Sequence, residues 1–523
     1  MQLQHQQIAR QLVEAQIAPL LHQRRIGLEK ECLRVNSEGK IAQTPHPSAL
    51  GSPLTNPWIT TDYSEALLEL ITPPCSSATE AVNFLREVEQ FIYGELYDEL
   101  LWHTSMPCVI PGESSIPLAR YGSSNAATMK TVYRRGLGYR YGRTMQVIAG
   151  VHFNYSLDET LWQALQRFEG DGQPLQAYIS ARYFDLLRNM LRIGWLIPYL
   201  FGASPAVCKS FVGGEMGRLE SFDEFTFYAP YATSLRMGDI GYQNNKENEN
   251  GIKANYDSLA RYVESLERAI ETPCPEYEKI GVKVDGEYRQ LNANILQIEN
   301  EYYSTVRPKQ LLQGNEKPVR ALQRDGVRYI ELRSLDVNAF DPQGINEEQL
   351  RFLEVLMLYC LFSPSPPISA VERREIDFNE LETAHRGRQP GFNLMRCGVA
   401  TPLRDWALEV CDAMLPYAQL LDEGTGEGEY VAALQLQRES VLNPDLTPSA
   451  RMLAEMRERG ESFFAFARRR SQQHQRWLSE LPLSPERREI LRQEAEHSRQ
   501  RQRQIEESDR VDFDTYLRDY FAK

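Results

Sequence analysis

Apolar and polar residues alternate over four stretches of the chain, a pattern typical of strands with one buried and one polar face. These stretches are residues 27–35, 147–156, 290–301 and 328–336. A fifth stretch, residues 67–72, fits either a strand or a helix. As a strand it places Glu69 on the same face as Leu67 and Ile71, and the two prolines that follow would end it.

Helical periodicity occupies most of the remaining chain. It covers residues 4–17, 77–102, 174–200, 252–271 and, from about residue 345, nearly everything to the C-terminus. Strands and helices do not alternate regularly, so we expect an α+β fold in which a mixed or antiparallel sheet is surrounded by helices. We divide the chain into a sheet-and-helix core, residues 1–375, and a mainly helical C-terminal part, residues 376–523, packed on that core.

Two carboxylates lie two residues apart in the first predicted strand, Gly27-Leu28-Glu29-Lys30-Glu31-Cys32-Leu33-Arg34-Val35. A strand projects residues i and i+2 onto one face, so Glu29 and Glu31 point the same way. Like charges at that spacing repel each other unless a cation lies between them or water screens them. The pair therefore suggests a bound cation.

Further carboxylates occur in apolar, strand-like surroundings, where an unpaired charge is expensive to bury. They are Asp62, Glu69 and Glu331. If the strands share one sheet, these acidic faces converge with the first pair, and His152 could join them. Hard oxygen ligands without a thiolate cluster suit magnesium or manganese rather than zinc. For each carboxylate taken singly, the alternative is an ordinary surface acid.

Basic and aromatic residues could complete such a site. Arg333 shares a strand face with Glu331, and Arg236 lies in a weakly structured region suited to a ligand loop. Their planar guanidinium groups could bind phosphate or carboxylate, or could merely neutralise the acids. Tyrosines in or beside polar loops could form the wall of a small-molecule pocket: Tyr63, Tyr133, Tyr242 and Tyr303.

The composition narrows the class of protein. The 523 residues are 42% hydrophobic and 25% charged, which is typical of a folded globular protein. The net charge of −14 argues against broad adhesion to nucleic acid or anionic membrane. There is no signal-peptide pattern, no membrane-spanning stretch and no metal-finger spacing among the eight cysteines, so we expect a cytoplasmic protein with reduced thiols.

Some alternatives carry less weight. The segment from residue 451 is rich in arginine and glutamate and predicts a solvated helical coat. A basic RNA-binding arm is the alternative, suggested by Arg468-Arg469-Arg470 and weakened by the interleaved glutamates. The chain has no G-x-x-x-x-G-K-[S/T] and no G-x-S-x-G sequence, which disfavours P-loop and α/β-hydrolase chemistry.

Several motifs together resemble the gammaproteobacterial type of glutamate–cysteine ligase. They are Gly27 to Val35, Trp58 to Glu69, Ile148 to Ser156, Pro198 to Pro205, Tyr231 to Arg236, Gln297 to Glu301 and Tyr329 to Asp336. The resemblance runs from about residue 20 to 375. It implies an antiparallel sheet curved into a funnel, as in glutamine synthetase and the guanidino kinases, with helices around it and a helical C-terminal part.

The resemblance also implies a function. Such an enzyme joins the γ-carboxylate of L-glutamate to the amino group of L-cysteine, using ATP and Mg²⁺, with Mn²⁺ as a substitute, through γ-glutamyl phosphate. The product, γ-glutamylcysteine, is the first intermediate of glutathione biosynthesis. We expect a monomer that binds neither nucleic acid nor membrane.

The resemblance assigns roles to individual residues of this chain. The metal-binding pattern falls on Glu29, Glu31, Asp62, Glu69, His152 and Glu331. Arg236 and Arg333 match catalytic arginines near the transferred phosphoryl group and the substrate. The pattern of the cysteine-side pocket falls on Tyr63, Tyr133, Leu137, Gln146, Arg236, Tyr242 and Tyr303.

Two other functions stay open at this level. One is a related carboxylate–amine ligase with a different amine acceptor. The other is a metal- or nucleotide-binding regulatory protein that keeps the fold without turnover. The residues do not identify a general base for the amine, and a positioned carboxylate or the departing phosphate could serve.

Overall fold

The computed structural model describes residues 2–107, 109–213, 217–241 and 253–522. Its strands are β1 Arg24–Asn36, β2 Ile59–Thr61, β3 Leu67–Ile71, β4 Glu99–Trp102, β5 Gly150–Leu157, β6 Ala206–Cys208, β7 Glu220–Ser221, β8 Thr226–Tyr228, β9 Lys283–Val284, β10 Glu287–Tyr288, β11 Val306–Lys309, β12 Tyr329–Asp336, β13 Asn393–Arg396 and β14 Val399–Pro402. Seven strands form one main sheet in the order β11-β12-β5-β1-β3-β2, with β4 also paired to β1. Every neighbouring pair is antiparallel.

Helices surround this sheet and fill the C-terminal third, which confirms the α+β class. Their bounds are Gln2–Glu14, Ala78–Glu95, Asn125–Tyr141, Glu159–Glu169, Leu175–Ile193, Leu196–Phe201, Leu259–Glu271, Pro275–Ile280, Pro318–Asp325, Glu347–Phe362, Ala370–Arg386, Leu403–Thr425, Glu429–Leu442, Pro448–Arg459, Phe463–Glu480, Pro485–Ser508 and Phe513–Ala522. Several begin at a side-chain cap. Ser77 accepts a hydrogen bond from the Glu80 backbone N–H, and Asn346 forms a capping box with Gln349.

The central strand β1 separates two chemically different faces. Glu29 and Glu31 lie on one face, and Lys30 points to the other, where its ammonium pairs with Glu89 of the helix Ala78–Glu95. Both members of this pair are completely buried. An uncompensated charge there would be costly, so the pair fixes which face of β1 meets the helix layer and which carries the two glutamates.

Three predicted elements are wrong. Residues 99–102, placed at the end of a long helix, form β4 instead, because the helix ends at Glu95 and the chain turns at Asp98 in a left-handed conformation (φ 53°). Residues 290–301, predicted as a strand, contain no strand or α-helix and join only an isolated bridge at Asn294. Residues 393–402, expected to be helical, form the hairpin of β13 and β14.

One hydrophobic core spans most of the described chain, and it includes residues on both sides of position 375, such as Leu353 and Met414. A second, smaller core joins the last helix to the helix Asn125–Tyr141. The boundary at residue 375 falls inside the helix Ala370–Arg386, and the two-part division stays a prediction. Within the described ranges no helix combines the length and apolar character needed to cross a bilayer.

Candidate active site

Strand register brings the predicted acidic residues onto one face of the main sheet. Glu29 of β1 lies opposite His152 of β5, and Glu31 lies opposite Glu69 of β3. In the next pair of strands, Glu331 of β12 lies opposite Asn154 of β5. Directly opposed residues in an antiparallel pair share a face, so four neighbouring strands direct these side chains into the same space.

Three of the predicted metal ligands form a tight group. The ligand atoms of Glu29, His152 and Glu331 all lie within 4.8 Å of one another. His152 Nδ1 is 3.1 Å from a Glu29 carboxylate oxygen and 3.8 Å from one of Glu331. Two carboxylates and one imidazole without a thiolate fit a magnesium or manganese ion.

The other three predicted ligands line the same face without joining the tight group. Glu31 Oε1 is 3.9 Å from His152 Nε2, and its second oxygen accepts a 2.7 Å hydrogen bond from the Gly150 backbone N–H. Asp62 follows β2 and lies 3.9 Å from the guanidinium of Arg134. The Asp62 backbone carbonyl also accepts a hydrogen bond from Arg134, which fixes the loop that carries this carboxylate.

The pKa values of two of these carboxylates are shifted in opposite directions. Burial, reinforced by the charges of Glu29 and Asp62, raises the pKa of Glu69 well above its ordinary value. Burial also acts to raise the pKa of Glu331, but the Lys309 and Arg333 cations outweigh it and hold that pKa well below its ordinary range. A metal cation among these groups would favour the ionised form of every one of them.

Two arginines border the acidic face, as the sequence predicted. Arg333 Nη1 donates a 3.3 Å hydrogen bond to Glu331, and Arg236 Nη2 donates a 2.8 Å hydrogen bond to the Arg333 backbone carbonyl. Asp336 lies 3.7 Å from Arg236 Nη1 and completes its support. The Nε atoms of both arginines are buried and have no hydrogen-bond acceptor among the described atoms. Each arginine thus has one donor whose hydrogen-bonding capacity is not used by the described residues.

Sequence reasoning missed four polar side chains at this face. Lys309 Nζ lies 3.3 Å from Glu331, and Arg307 lies opposite Glu331 across the β11–β12 pair. Both belong to β11, a four-residue strand interrupted by Pro308, which is why alternation did not reveal it. The other two are Arg134 and Asn154, whose amide donates a 2.8 Å hydrogen bond to Glu29.

The residues of the predicted cysteine-side pocket lie on several helices and loops. Tyr133 and Leu137 are carried by the helix Asn125–Tyr141, and the buried Gln146 follows that helix. The Tyr63 hydroxyl is buried without a hydrogen-bond partner in the described part of the chain, and it packs so closely on this helix that a Cβ at Gly138 would lie 2.5 Å from it. Tyr303 follows residues 290–301. Tyr242 lies outside the described residues.

Electrostatic interactions connect the pocket to the acidic face. Burial raises the pKa of Tyr303, and the charges of Arg236 and Arg333 partly offset that rise. Burial likewise raises the pKa of Tyr133, and the negative charges of Glu301 and Asp62 act in the same direction. Tyr303 therefore interacts electrostatically with the two arginines, and Tyr133 with two of the acids.

Comparison with protein families gives one match over most of the chain. The family model described as "Glutamate-cysteine ligase" matches residues 9–383. The chain is 49% identical over 504 residues to the glutamate–cysteine ligase of Pseudomonas paraeruginosa, covering 96% of this chain and 95% of that protein. It is 48% identical over 520 residues to the same enzyme of Alcanivorax borkumensis, covering 98% of both.

Solved structures give a consistent result. The crystal structure of glutamate–cysteine ligase from Francisella tularensis in complex with AMP matches with a TM-score of 0.89 and 34% identity, covering 96% of this chain and 98% of that one. A bifunctional glutathione synthetase from Pasteurella multocida matches with a TM-score of 0.67 and 25% identity, covering 89% of this chain and 53% of that one. The range matched by the family model contains every predicted site residue.

Proposed function

The chain belongs to the glutamate–cysteine ligase family, and we propose that the acidic face of its main sheet is the active site of that reaction. The enzyme joins the γ-carboxylate of L-glutamate to the amino group of L-cysteine in an ATP-dependent reaction that gives γ-glutamylcysteine. One observation carries the assignment of the site. The ligand atoms of Glu29, His152 and Glu331 lie within 4.8 Å of one another, and Arg333 and Arg236 border the same face.

We propose that Mg²⁺, or Mn²⁺ in its place, binds to the acidic residues. Glu29, His152 and Glu331 would hold one ion, and Glu31, Asp62 and Glu69 would extend the ligand set along the same face. The metal supplies charge neutralisation for the ATP phosphates. Asn154 holds the Glu29 carboxylate through a 2.8 Å hydrogen bond, so this ligand is oriented before any ion arrives.

The arginines are proposed to act on the substrates. The glutamate γ-carboxylate attacks the γ-phosphorus of ATP, the bond from that phosphorus to the β–γ bridging oxygen breaks, and γ-glutamyl phosphate and ADP form. Arg333 and Arg236 stabilise the charge of the phosphoryl group with guanidinium groups that Glu331 and Asp336 already hold in place. The cysteine amine then attacks the acyl carbon, and phosphate leaves. The proton of the amine passes to a positioned carboxylate or to the departing phosphate.

The amine acceptor is proposed to bind between Tyr63, Tyr133, Leu137, Gln146, Arg236, Tyr242 and Tyr303. The family relatives are named for cysteine, which supports L-cysteine as this acceptor. A related ligase with another acceptor is the alternative. We further propose that the main sheet curves into a funnel of the glutamine synthetase and guanidino kinase type, and that the protein acts as a cytoplasmic monomer.

Phosphate release tests the assignment of reaction and acceptor. The protein is incubated with ATP, Mg²⁺, L-glutamate and one amino acid at a time, and phosphate is measured. We expect release that depends on glutamate and is fastest with L-cysteine, compared with 2-aminobutyrate and other amines. Faster phosphate release with a different amine would identify that amine, rather than cysteine, as the acceptor. ATP binding without any glutamate-dependent phosphate release would indicate a regulatory protein without turnover.

The variant Glu29→Gln tests the metal site. It keeps the size of the side chain but removes the charge, so we expect turnover to fall by about 10²–10³-fold, the usual effect of losing one preorganised electrostatic group. The matched control is Glu38→Gln, because the Glu38 side chain is 66% exposed. Near-wild-type turnover of Glu29→Gln at saturating Mg²⁺ would contradict its role as a ligand.

A further inference from the structure

A buried carboxylate at Glu301 receives three hydrogen bonds from two separate parts of the chain. Arg140 Nη1 and the Tyr141 hydroxyl each donate to its Oε1 at 2.8 Å. The Gln297 backbone N–H donates to its Oε2 at 2.7 Å. The Arg140 and Glu301 side chains are fully buried, so this is a charge pair shielded from water, where each partner strongly depends on the other.

The Glu301 cluster joins the elements that carry the proposed acceptor pocket. Arg140 and Tyr141 end the helix that carries Tyr133 and Leu137, and Glu301 lies two residues before Tyr303. A second contact reinforces the junction. Gln297 Nε2 donates a 3.2 Å hydrogen bond to the Tyr133 backbone carbonyl.

The fit between these elements leaves little freedom. A Cβ at Gly136 would lie 2.2 Å from Gln297 Oε1, so the helix backbone meets the Gln297 side chain directly. Arg140 also donates to the Gln290 side chain at 2.9 Å and to the Asn292 carbonyl at 2.8 Å. Residues 290–298 form no helix and only one isolated bridge. Side-chain hydrogen bonds and a few backbone hydrogen bonds to residues 269–274, rather than a strand ladder, therefore hold this segment.

We propose that Glu301 is a positioning residue for the amine acceptor: it fixes the distance between Tyr303 and the helix wall formed by Tyr133 and Leu137. This proposal rests on the proposed function of that pocket. Glu301 acts through these two walls and does not itself contact the reacting atoms. Its loss lets the two walls move apart, which weakens acceptor binding and discrimination while the acidic face on the strands stays in place.

The chain contains a matched control for this experiment. Glu354 forms a second buried cluster of the same composition, with Arg24 and Tyr430. This cluster joins the start of β1 to the helices Glu347–Phe362 and Glu429–Leu442, which carry none of the proposed site residues. Replacing either glutamate by glutamine removes one buried charge from an arginine–tyrosine pair, so both variants share the general cost to stability.

The test compares Glu301→Gln with Glu354→Gln in the full-length enzyme. For Glu301→Gln we expect the KM for cysteine to rise by about 10–100-fold and the preference for cysteine over 2-aminobutyrate to fall, with the KM values for ATP and glutamate within about twofold of wild type. Glu354→Gln should leave all three KM values unchanged. Equal changes in all KM values, or in both variants, would overturn the proposal.

Two additional variants separate the proposal from the function on which it rests. Leu137→Ala removes a wall of the proposed pocket without touching Glu301. If Leu137→Ala raises the KM for cysteine and Glu301→Gln does not, the pocket is right and the positioning role is wrong. If Leu137→Ala also has no effect, the pocket assignment itself fails. Should Glu301→Gln not fold, Tyr141→Phe removes one of the three hydrogen bonds and must show a smaller shift of the same kind.

Discussion

Gly150 lies where the start of β5 passes between two groups of the proposed site. Its backbone N–H donates a 2.7 Å hydrogen bond to Glu31, and a Cβ built at this position would lie 2.1 Å from Arg236 Nη2. Real Cβ atoms essentially never come that close to another heavy atom. A Cβ here would therefore displace the Arg236 guanidinium, and it is this contact rather than the backbone conformation that favours glycine.

We predict that Gly150→Ala moves the Arg236 guanidinium while the fold is retained. A displacement of about 1 Å in a positioned catalytic group can reduce turnover by about 10²-fold, and we expect kcat/KM to fall to that extent. Steady-state kinetics provide the measurement. Gly172→Ala is the control, because a Cβ there meets no atom within 4 Å. If Gly150→Ala retains wild-type kcat/KM, the position of Arg236 is not critical for the reaction.

At the scale of residues, the sequence could predict the acids better than the bases. Glu29, Glu31 and Glu331 belong to long strands, whose alternation fixes which face each side chain occupies. Lys309 and Arg134 act on the same face from a four-residue strand and from a helix. Nothing in a local pattern shows that such distant elements converge, because only the three-dimensional register brings them together.

The last helix, Phe513–Ala522, contributes to a small hydrophobic core that is separate from the main one and includes residues distant in sequence. Its Leu517 packs with Met129 and Val132 of the helix Asn125–Tyr141, and Leu291 completes the cluster. Polar contacts support the same junction. Asp514 accepts hydrogen bonds from Lys283 and from the Tyr288 hydroxyl. The end of the chain thus braces the helix that carries two proposed pocket residues.

Leu517→Ala is predicted to loosen this brace without unfolding the main core. A buried leucine replaced by alanine costs about 2–5 kcal/mol, and here that loss falls on a cluster of four buried side chains. We expect faster amide hydrogen exchange in residues 125–133 and 513–522 and unchanged exchange in β1 and β5, measured by mass spectrometry.

The control for this experiment is Leu3→Ala, since Leu3 is 81% exposed. Its exchange pattern should equal that of the wild type. Unchanged exchange over residues 125–133 in Leu517→Ala would show that the last helix packs on this region without stabilising it.

At the scale of elements, tertiary hydrogen bonds explain why one strand predicted from the sequence pattern does not form. Residues 290–301 alternate like a strand, but Gln290, Gln297 and Glu301 are buried and bond to the neighbouring helix, and the Asn292 and Ile295 carbonyls accept from Arg140. No partner strand is then needed. The helix predicted for residues 99–102 was wrong for another reason. A run of four apolar-rich residues is too short to distinguish helical from strand periodicity.

At the scale of the whole molecule, helices near the C-terminus pack on elements from the N-terminal half of the chain. The arginines that suggested an RNA-binding arm are engaged within the chain: Arg469 pairs with Glu455 and Glu461, and Arg470 pairs with Glu455. Their helix, Phe463–Glu480, packs against the helix Ala78–Glu95 and against β4. The composition could predict helices here, but not which of their faces would be covered.

The same helix places one titratable group at its contact with the loop that follows β12. His474 is buried, and its Nε2 lies 2.8 Å from the Ala339 carbonyl, in the loop that follows β12. Burial lowers the pKa of His474 from 6.5 to about 4, and the nearby Lys30 and Arg470 cations act in the same direction. The ring of His103, also buried, packs on it at 5.1 Å. His474 is therefore neutral in the folded protein at pH 5–7.

This environment predicts a loss of stability in mild acid. Between pH 6.5 and 4 the unfolded chain binds a proton at His474 and the folded chain does not, so the free energy of unfolding falls as pH decreases through this window. At pH 5 the contribution lost is about 2 kcal/mol relative to neutral pH.

His474→Gln keeps a donor for the Ala339 carbonyl but does not titrate. Urea unfolding at pH 7 and pH 5 should therefore show a stability difference between wild type and variant that shifts by about 2 kcal/mol in favour of the variant. A difference that stays constant between the two pH values would mean that His474 binds its proton equally in both states, and that the contact between the C-terminal helices and the sheet does not depend on its neutral form.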